Sequence, residues 1–199
     1  MEYRLIPLLI GYVLGMIQTG YFVGKIYDID IREHGSKNAG MTNVNRTLGV
    51  SPAAVVFIID ILKAVVAFVI ASLIFPSYYV IPGLWAGLGA ILGHDFPFYL
   101  KFKGGKGISC TLGIIFMLDW RIALISYAVG FLLVLLFRYI SLASLAITLI
   151  APVLLLIFGY GWEVFGITAA LCALAWFLHR ENIKRLATGT ERKFSLKRN

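Results

Sequence analysis

Seven apolar stretches with short polar loops between them leave this chain few folds to choose from. They run Leu5–Val23, Pro52–Phe75, Tyr79–Gly93, Gly107–Leu118, Ile122–Phe137, Leu142–Phe158 and Trp162–Leu178. With 60% hydrophobic and only 14% charged residues, a chain of 199 residues has more apolar surface than one soluble core can bury. The mean hydropathy of +0.87 agrees. The expected class is all-α: a polytopic membrane helix bundle, one integral membrane domain over residues 1–199, without internal repeat or long linker.

Several stretches fall short of the roughly 20 residues of an ordinary span, Gly107–Leu118 most of all, so the count needs a second argument. Short cytoplasmic loops carry excess Lys and Arg. Lys25, Arg32, Lys37 and Arg46 follow the first stretch, Lys101, Lys103 and Lys106 the third, and Arg138 the fifth. Arg180, Lys184, Arg185, Arg192, Lys193, Lys197 and Arg198 follow the seventh, and the other side keeps only Arg4 and Arg121. If the fourth stretch did not cross, the cationic tail would lie outside. Seven transmembrane segments, N-terminus outside and C-terminus cytoplasmic, satisfy the rule. The net charge of +8 is then topological, and no folded domain offers it to nucleic acid. Arg4 precedes an apolar run with no small-residue cleavage site after it, which predicts an uncleaved first span. Cys110 and Cys172 are far apart in sequence, without metal-ligand spacing, and read as packing residues.

Three polar blocks fall on the predicted cytoplasmic side. The first, GSKNAGMTNVNRTLG from Gly35 to Gly49, combines amide side chains, glycine backbone and cations, a make-up suited to anions. Gly35, Ser36, Asn38, Gly40, Thr42, Asn43 and Arg46 are its candidate donors. The second, GHDFPFYLKFKGGKG, places Gly104, Gly105 and Gly107 around Lys106 just before a helix start. It is not a Walker A loop, because Leu100 stands where the first Gly belongs and Gly107 where Ser or Thr would bind Mg²⁺. The third, HRENIKRLATGTE, sets His179, Asn182 and Arg185 at three-residue intervals on one helical face. Asp60 and Lys63 most simply neutralise each other inside the second span, a substrate pathway being the alternative. His94 and Asp95 are expected to cap and orient the following loop. Ser141 and Ser144 fit equally a helix N-cap or extra phosphate donors.

Together these blocks resemble the bacterial acyl-phosphate:glycerol-3-phosphate acyltransferases, which carry three short cytosolic motifs in this order. The likeness takes in Asp30-Ile31-Arg32, Asp60 and Lys63, the GGKG run, Ser141 to Ser144, and His-x-x-Asn-Ile-x-Arg-Leu with Gly189 and Glu191. Lys37, where the family often has Gly, Met41, where it often has Ala, and Ile108-Ser109-Cys110 depart from it. The resemblance implies transfer of a fatty acyl group from acyl phosphate to glycerol 3-phosphate in the bacterial inner membrane, with the site facing the cytoplasm. Lys106 and Arg46 would take the phosphates. Ser36 and the amides of Gly104, Gly105 and Gly107 would complete the anion cradle, and Asn182 and His179 would donate to a phosphate or the developing oxyanion. Ser141, Ser144 and Arg185 would add phosphate contacts. The base is His179 or a substrate phosphate oxygen. No metal or cofactor is expected. Acyl-CoA is not expected as donor, since no His has Asp five residues later. A small organophosphate transporter is the other reading, though apart from Asp60 and Lys63 the polar residues crowd at one face.

Overall fold

A computed structural model describes residues 1–78 and 80–195, and among these it shows helices and no strand. Tyr79, at the edge of the third expected stretch, and the tail cations Lys197 and Arg198 lie outside the described residues. Each of the seven expected apolar stretches is helical over most of its described residues. The chain divides into two compact units, Met1–Ile114 and Ile115–Ser195.

The first unit holds α1 (Glu2–Gly15), α2 (Thr19–Ile26), α3 (Met41–Leu48), α4 (Val50–Ile74), α5 (Val80–Asp95) and the start of α6 (Ile108–Leu118). Helices in lipid gain nothing by hiding apolar side chains from apolar tails, so they associate through close backbone packing. Here α1 and α5 do so through paired small residues: a Cβ on Gly11 or Gly15 would overlap the backbone of Ala86 or Ala90. A Cβ on Gly89 or Gly93 would likewise overlap the backbone around Leu8 and Tyr12.

The first stretch, expected as one span, is broken between α1 and α2. Polar partners take over there. Gln18 is fully buried and its Nε2 donates to the His94 carbonyl at 2.7 Å. The Tyr99 hydroxyl donates to the Met16 carbonyl at 2.7 Å. Of the carbonyls freed by the break, that of Met16 is satisfied by Tyr99 and that of Ile17 by Lys63 Nζ, so both are met within protein, as irregular chain in a membrane bundle requires.

The second unit holds α7 (Trp120–Phe137), α8 (Ile140–Ile157), α9 (Trp162–Leu178) and α10 (Arg180–Ala187). The Asp119 side chain accepts from the Arg121 amide at 2.8 Å and so caps α7, while Arg138 ends it in a left-handed conformation. Helices α9 and α10 meet at 62°, with His179 at the corner. By length and apolar composition four helical segments suffice to cross a membrane: Glu2–Ile26, α4, α7 and α8. The bent pair of α9 and α10 makes a fifth if it is one span. Large side chains such as Leu9, Leu73, Phe131 and Ile157 point outward, as lipid-facing helices require.

Candidate active site

In the first unit, Asp30 stands just ahead of the first polar block. Its carboxylate accepts from the Arg32 amide and Nε, both at 3.0 Å, and pairs with the far guanidinium nitrogen at 2.7 Å. The Arg32 side-chain hydrogen bonds hold the Asp30 carboxyl down at about 2. The guanidinium also lies over the Tyr21 ring at 4.9 Å and donates to the Leu100 carbonyl at 3.4 Å.

Asn43 organises the rest of this loop. It is 1% exposed, and its Nδ2 is directed at three carbonyls, those of Ile31, His34 and Asn38, at 2.9 to 3.0 Å. Its Oδ1 accepts from the Ser36 amide at 2.7 Å. Gly35 has φ 59° and packs against this amide, so a side chain is excluded on both counts. Asn43, expected among the phosphate donors, instead spends its donors and acceptor on the loop, whose shape they set. Asn38 accepts from the Gly40 amide at 2.9 Å, and its Nδ2 reaches the Gly104 carbonyl at 3.3 Å. Arg32, just ahead of the first block, and Asn38 within it thus tie this segment to the second block. Gly40 precedes α3, on which the part-buried Thr42 and Arg46, four residues apart, share a face. Ser36 is exposed.

The GGKG loop is anchored on the end of α5. The Gly104 amide donates to the Asp95 carbonyl at 3.1 Å and the Gly105 amide to the His94 carbonyl at 3.0 Å. These two amides, expected in the anion cradle, therefore hold the loop to its helix. His94 and Asp95 do orient the loop, as expected, but through their carbonyls. Gly107 has φ 68°, its carbonyl accepts from the Thr111 amide at 2.8 Å as α6 begins, and Lys106 beside it is partly buried.

Behind the loop, Asp60 and Lys63 form the expected ion pair at 2.9 Å, with side chains 1% and 2% exposed. The pair belongs to a larger network. Lys63 Nζ also donates to the Ile17 carbonyl at 2.6 Å, in the break between α1 and α2, and to His94 Nδ1 at 2.8 Å. The Thr19 hydroxyl donates to Asp60 Oδ1 at 2.9 Å. Sequence reasoning left His94, Thr19 and Gln18 outside this network, because their partners lie far along the chain.

In the second unit, the third block closes around a carboxylate. Asn182 Nδ2 donates to Glu191 Oε1 at 2.8 Å, Arg185 Nε to Oε2 at 2.6 Å, and the Ser141 hydroxyl to Oε1 at 3.0 Å. Burial alone would raise the Glu191 carboxyl, and the donors Asn182, Arg185 and Ser141 outweigh it, so it sits below its ordinary value. The turn that delivers it depends on Gly189 at φ 68°, after which the Glu191 amide donates to the Arg185 carbonyl at 3.1 Å. The helical spacing of Asn182 and Arg185 works as expected, yet the anion they meet here is the chain's own. Ser144 donates to the Ile140 carbonyl at 2.9 Å, one turn back on its own helix. His179 is 5% exposed, and its Nδ1 faces the Ala175 carbonyl at 2.7 Å. A carbonyl only accepts, so Nδ1 carries the proton and the Nε2 of a neutral ring is the acceptor. No group of three or more potential metal ligands occurs among the described residues.

Residues 5–189 match the family model described as glycerol-3-phosphate acyltransferase. The glycerol-3-phosphate acyltransferase of Alkaliphilus metalliredigens is 41% identical over 195 residues, covering 98% of this chain and 97% of the relative. That of Aquifex aeolicus is 39% identical over 185 residues, covering 92% of this chain and 95% of the relative. Among solved structures, the glycerol 3-phosphate form of PlsY (YgiH), described as an integral membrane glycerol 3-phosphate acyltransferase, superposes with TM-score 0.90 at 37% identity, over 96% of each chain. Its lysophosphatidic acid form gives 0.87 at 36%, over 97% of this chain and 96% of that one. Matched over residues 5–189 by the family model and superposed over 96% of its length on an integral membrane relative, this helical chain belongs to the glycerol-3-phosphate acyltransferase family of integral membrane enzymes.

Proposed function

We propose that this enzyme transfers a fatty acyl group from acyl phosphate to a hydroxyl of glycerol 3-phosphate, forming lysophosphatidic acid and inorganic phosphate at the start of phospholipid synthesis. The observation that carries the reading is the end-to-end likeness to a relative solved in both a glycerol 3-phosphate and a lysophosphatidic acid form. The hydroxyl oxygen attacks the acyl carbon, the acyl–oxygen bond to phosphorus breaks on the carbonyl side, and phosphate leaves with the electron pair. The donor is a mixed anhydride with a good leaving group, so positioning and charge stabilisation suffice without an acyl-enzyme.

Lys106 and Arg46 take the phosphates, with Thr42 beside Arg46 on the same face of α3 and Ser36 on the exposed edge of the first loop. Asn182 acts as a donor in the second unit, where Glu191 holds it and Arg185 in register, and His179 donates there only as the imidazolium, with both ring nitrogens protonated. The hydroxyl proton goes to a phosphate oxygen of the substrate or to His179 Nε2, the nitrogen that the Ala175 carbonyl leaves as acceptor. The chain is one integral membrane domain of seven spans in the bacterial inner membrane, N-terminus outside, with the three blocks facing the cytoplasm and no cofactor, metal, nucleic acid or acyl-CoA involved.

Purified protein given glycerol 3-phosphate should form lysophosphatidic acid with acyl phosphate and not with acyl-CoA; turnover with acyl-CoA alone would overturn the donor assignment. Single cysteines at Ser36, Lys103 and Thr188, in a background lacking Cys110 and Cys172, should react with an impermeant thiol reagent only after permeabilisation. Labelling of Thr188→Cys in intact cells would break the seven-span count.

A further inference from the structure

The buried network of Asp60, Lys63 and His94 lies in the first unit beneath the GGKG loop. Helix α4 is 25 residues long, about 37 Å at the usual helical rise, and Lys63 sits near its middle. His94 and the loop it carries are therefore held alongside the middle of a spanning helix, and not merely near its end. An ammonium has three N–H groups, and Lys63 directs them at three acceptors: Asp60 Oδ1, the Ile17 carbonyl and His94 Nδ1. Since Lys63 donates to Nδ1, the His94 proton sits on Nε2. That nitrogen faces Gly105, where even a methyl group would overlap it. The same residue accepts the Gly105 amide through its carbonyl. Ring and backbone of His94 thus grip one residue of the loop, next to Lys106.

We propose that Asp60, Lys63 and His94 are positioning residues of the acyl transfer: Lys63, oriented by Asp60, locks the His94 ring, and the locked ring holds Gly105 and so the placement of Lys106. This rests on the assignment of the GGKG loop to a phosphate. A mere neutralised pair would ask only that the two charges cancel; it would not need a third acceptor from α1–α2 or a ring against the loop.

The test uses full-length protein and three variants. Lys63→Met leaves Asp60 buried and unpaired and is expected to lose much of the fold. Asp60→Asn with Lys63→Met removes both charges and should recover the unfolding midpoint while leaving Nδ1 of His94 without its donor. That double variant is expected to show a raised KM for glycerol 3-phosphate, kcat/KM down at least about tenfold, and amide exchange at Gly104 and Gly105 faster by a similar factor, since an ångström-scale misplacement costs catalysis on that order or more. Parental kcat/KM and parental exchange in the folded double variant would overturn the proposal, as would failure of the neutral pair to fold at all, which would make the network part of the bundle core and nothing more. Lys106→Ala is the reference: full activity there would remove the loop from phosphate binding and sink the underlying reading, whatever the network does.

Discussion

Replacing Asn182 by Asp changes one nitrogen for one oxygen, and the geometry around Glu191 makes that small change a large perturbation. In the parent, Asn182 Nδ2 donates to Glu191 Oε1 at 2.8 Å, and Arg185 and Ser141 donate to the same carboxylate. Asn182→Ala removes one hydrogen bond to a charged acceptor, about 2 kcal/mol, and leaves Glu191 with two donors. Asn182→Asp removes the same bond and sets two carboxylates side by side. At about 4 Å and an effective dielectric near 20, they repel by about 4 kcal/mol. A proton taken up by the pair limits the penalty, since neutralising one ordinary carboxyl at neutral pH costs about 3–4 kcal/mol. The Asp variant should therefore be less stable than the Ala variant by about 1–2 kcal/mol at neutral pH, even though it conserves shape.

That proton also fixes the sign of the pH dependence. The folded Asp variant holds a proton that its unfolded chain releases, so its stability falls as pH rises, by up to about 1.4 kcal/mol per unit. Lowering the pH from about 7 to about 5.5 should close the gap to Ala. Adding Glu191→Gln restores one donor and one acceptor, and should bring Asn182→Asp back to within about 1 kcal/mol of the parent. Thermal unfolding in detergent at the two pH values, with acyl transfer measured in parallel, makes the comparison. An Asp variant as stable as Ala at neutral pH, or one indifferent to Glu191→Gln, would refute the reasoning.

Lys37 adopts φ 59°, in the left-handed region that favours glycine, so Lys37→Gly should stabilise the protein by about 0.5–1 kcal/mol, read as a raised unfolding midpoint; an unchanged midpoint would show that the loop carries no such strain. Lys106→Ala and Arg46→Ala should each lose at least about 2 kcal/mol of transition-state stabilisation in kcat/KM, while the exposed Lys184→Ala stays near neutral. Equal losses in all three would mean a diffuse field of cations in place of specific contacts. Asp30, held at about 2 by the Arg32 side-chain hydrogen bonds, contributes stability that is present above its ordinary 3.8 and lost as pH falls toward 2. Asp30→Asn should flatten the acid limb of an unfolding titration in that window, and an unaltered limb would count against the pair.

Helix positions were legible because hydrophobicity is carried residue by residue, and every expected apolar stretch is helical over most of its described residues. Asp60 and Lys63 were legible as a pair because three residues separate them on one helix, and Asn182 and Arg185 as partners on one face for the same reason. Local patterning could not show the break at residues 16–18. Nothing in Met16-Ile17-Gln18 reads as a helix breaker; the break persists because Gln18 finds the His94 carbonyl and Lys63 finds that of Ile17, partners 76 and 46 residues away.

The amino-acid sequence by itself determined the class of molecule, the approximate helices and the three polar blocks with the chemistry their residue types allow. Those properties are local. Only the tertiary structure decided which donors each block directs at itself: Asn43 at its own loop, the Gly104 and Gly105 amides at the end of α5, Ser141, Asn182 and Arg185 at Glu191, and Lys63 at His94. A hydrogen bond is decided by ångströms between groups that can stand 50 residues apart in the chain, as Ser141 and Glu191 do. Residue type states what a side chain can donate or accept, and packing alone selects the partner.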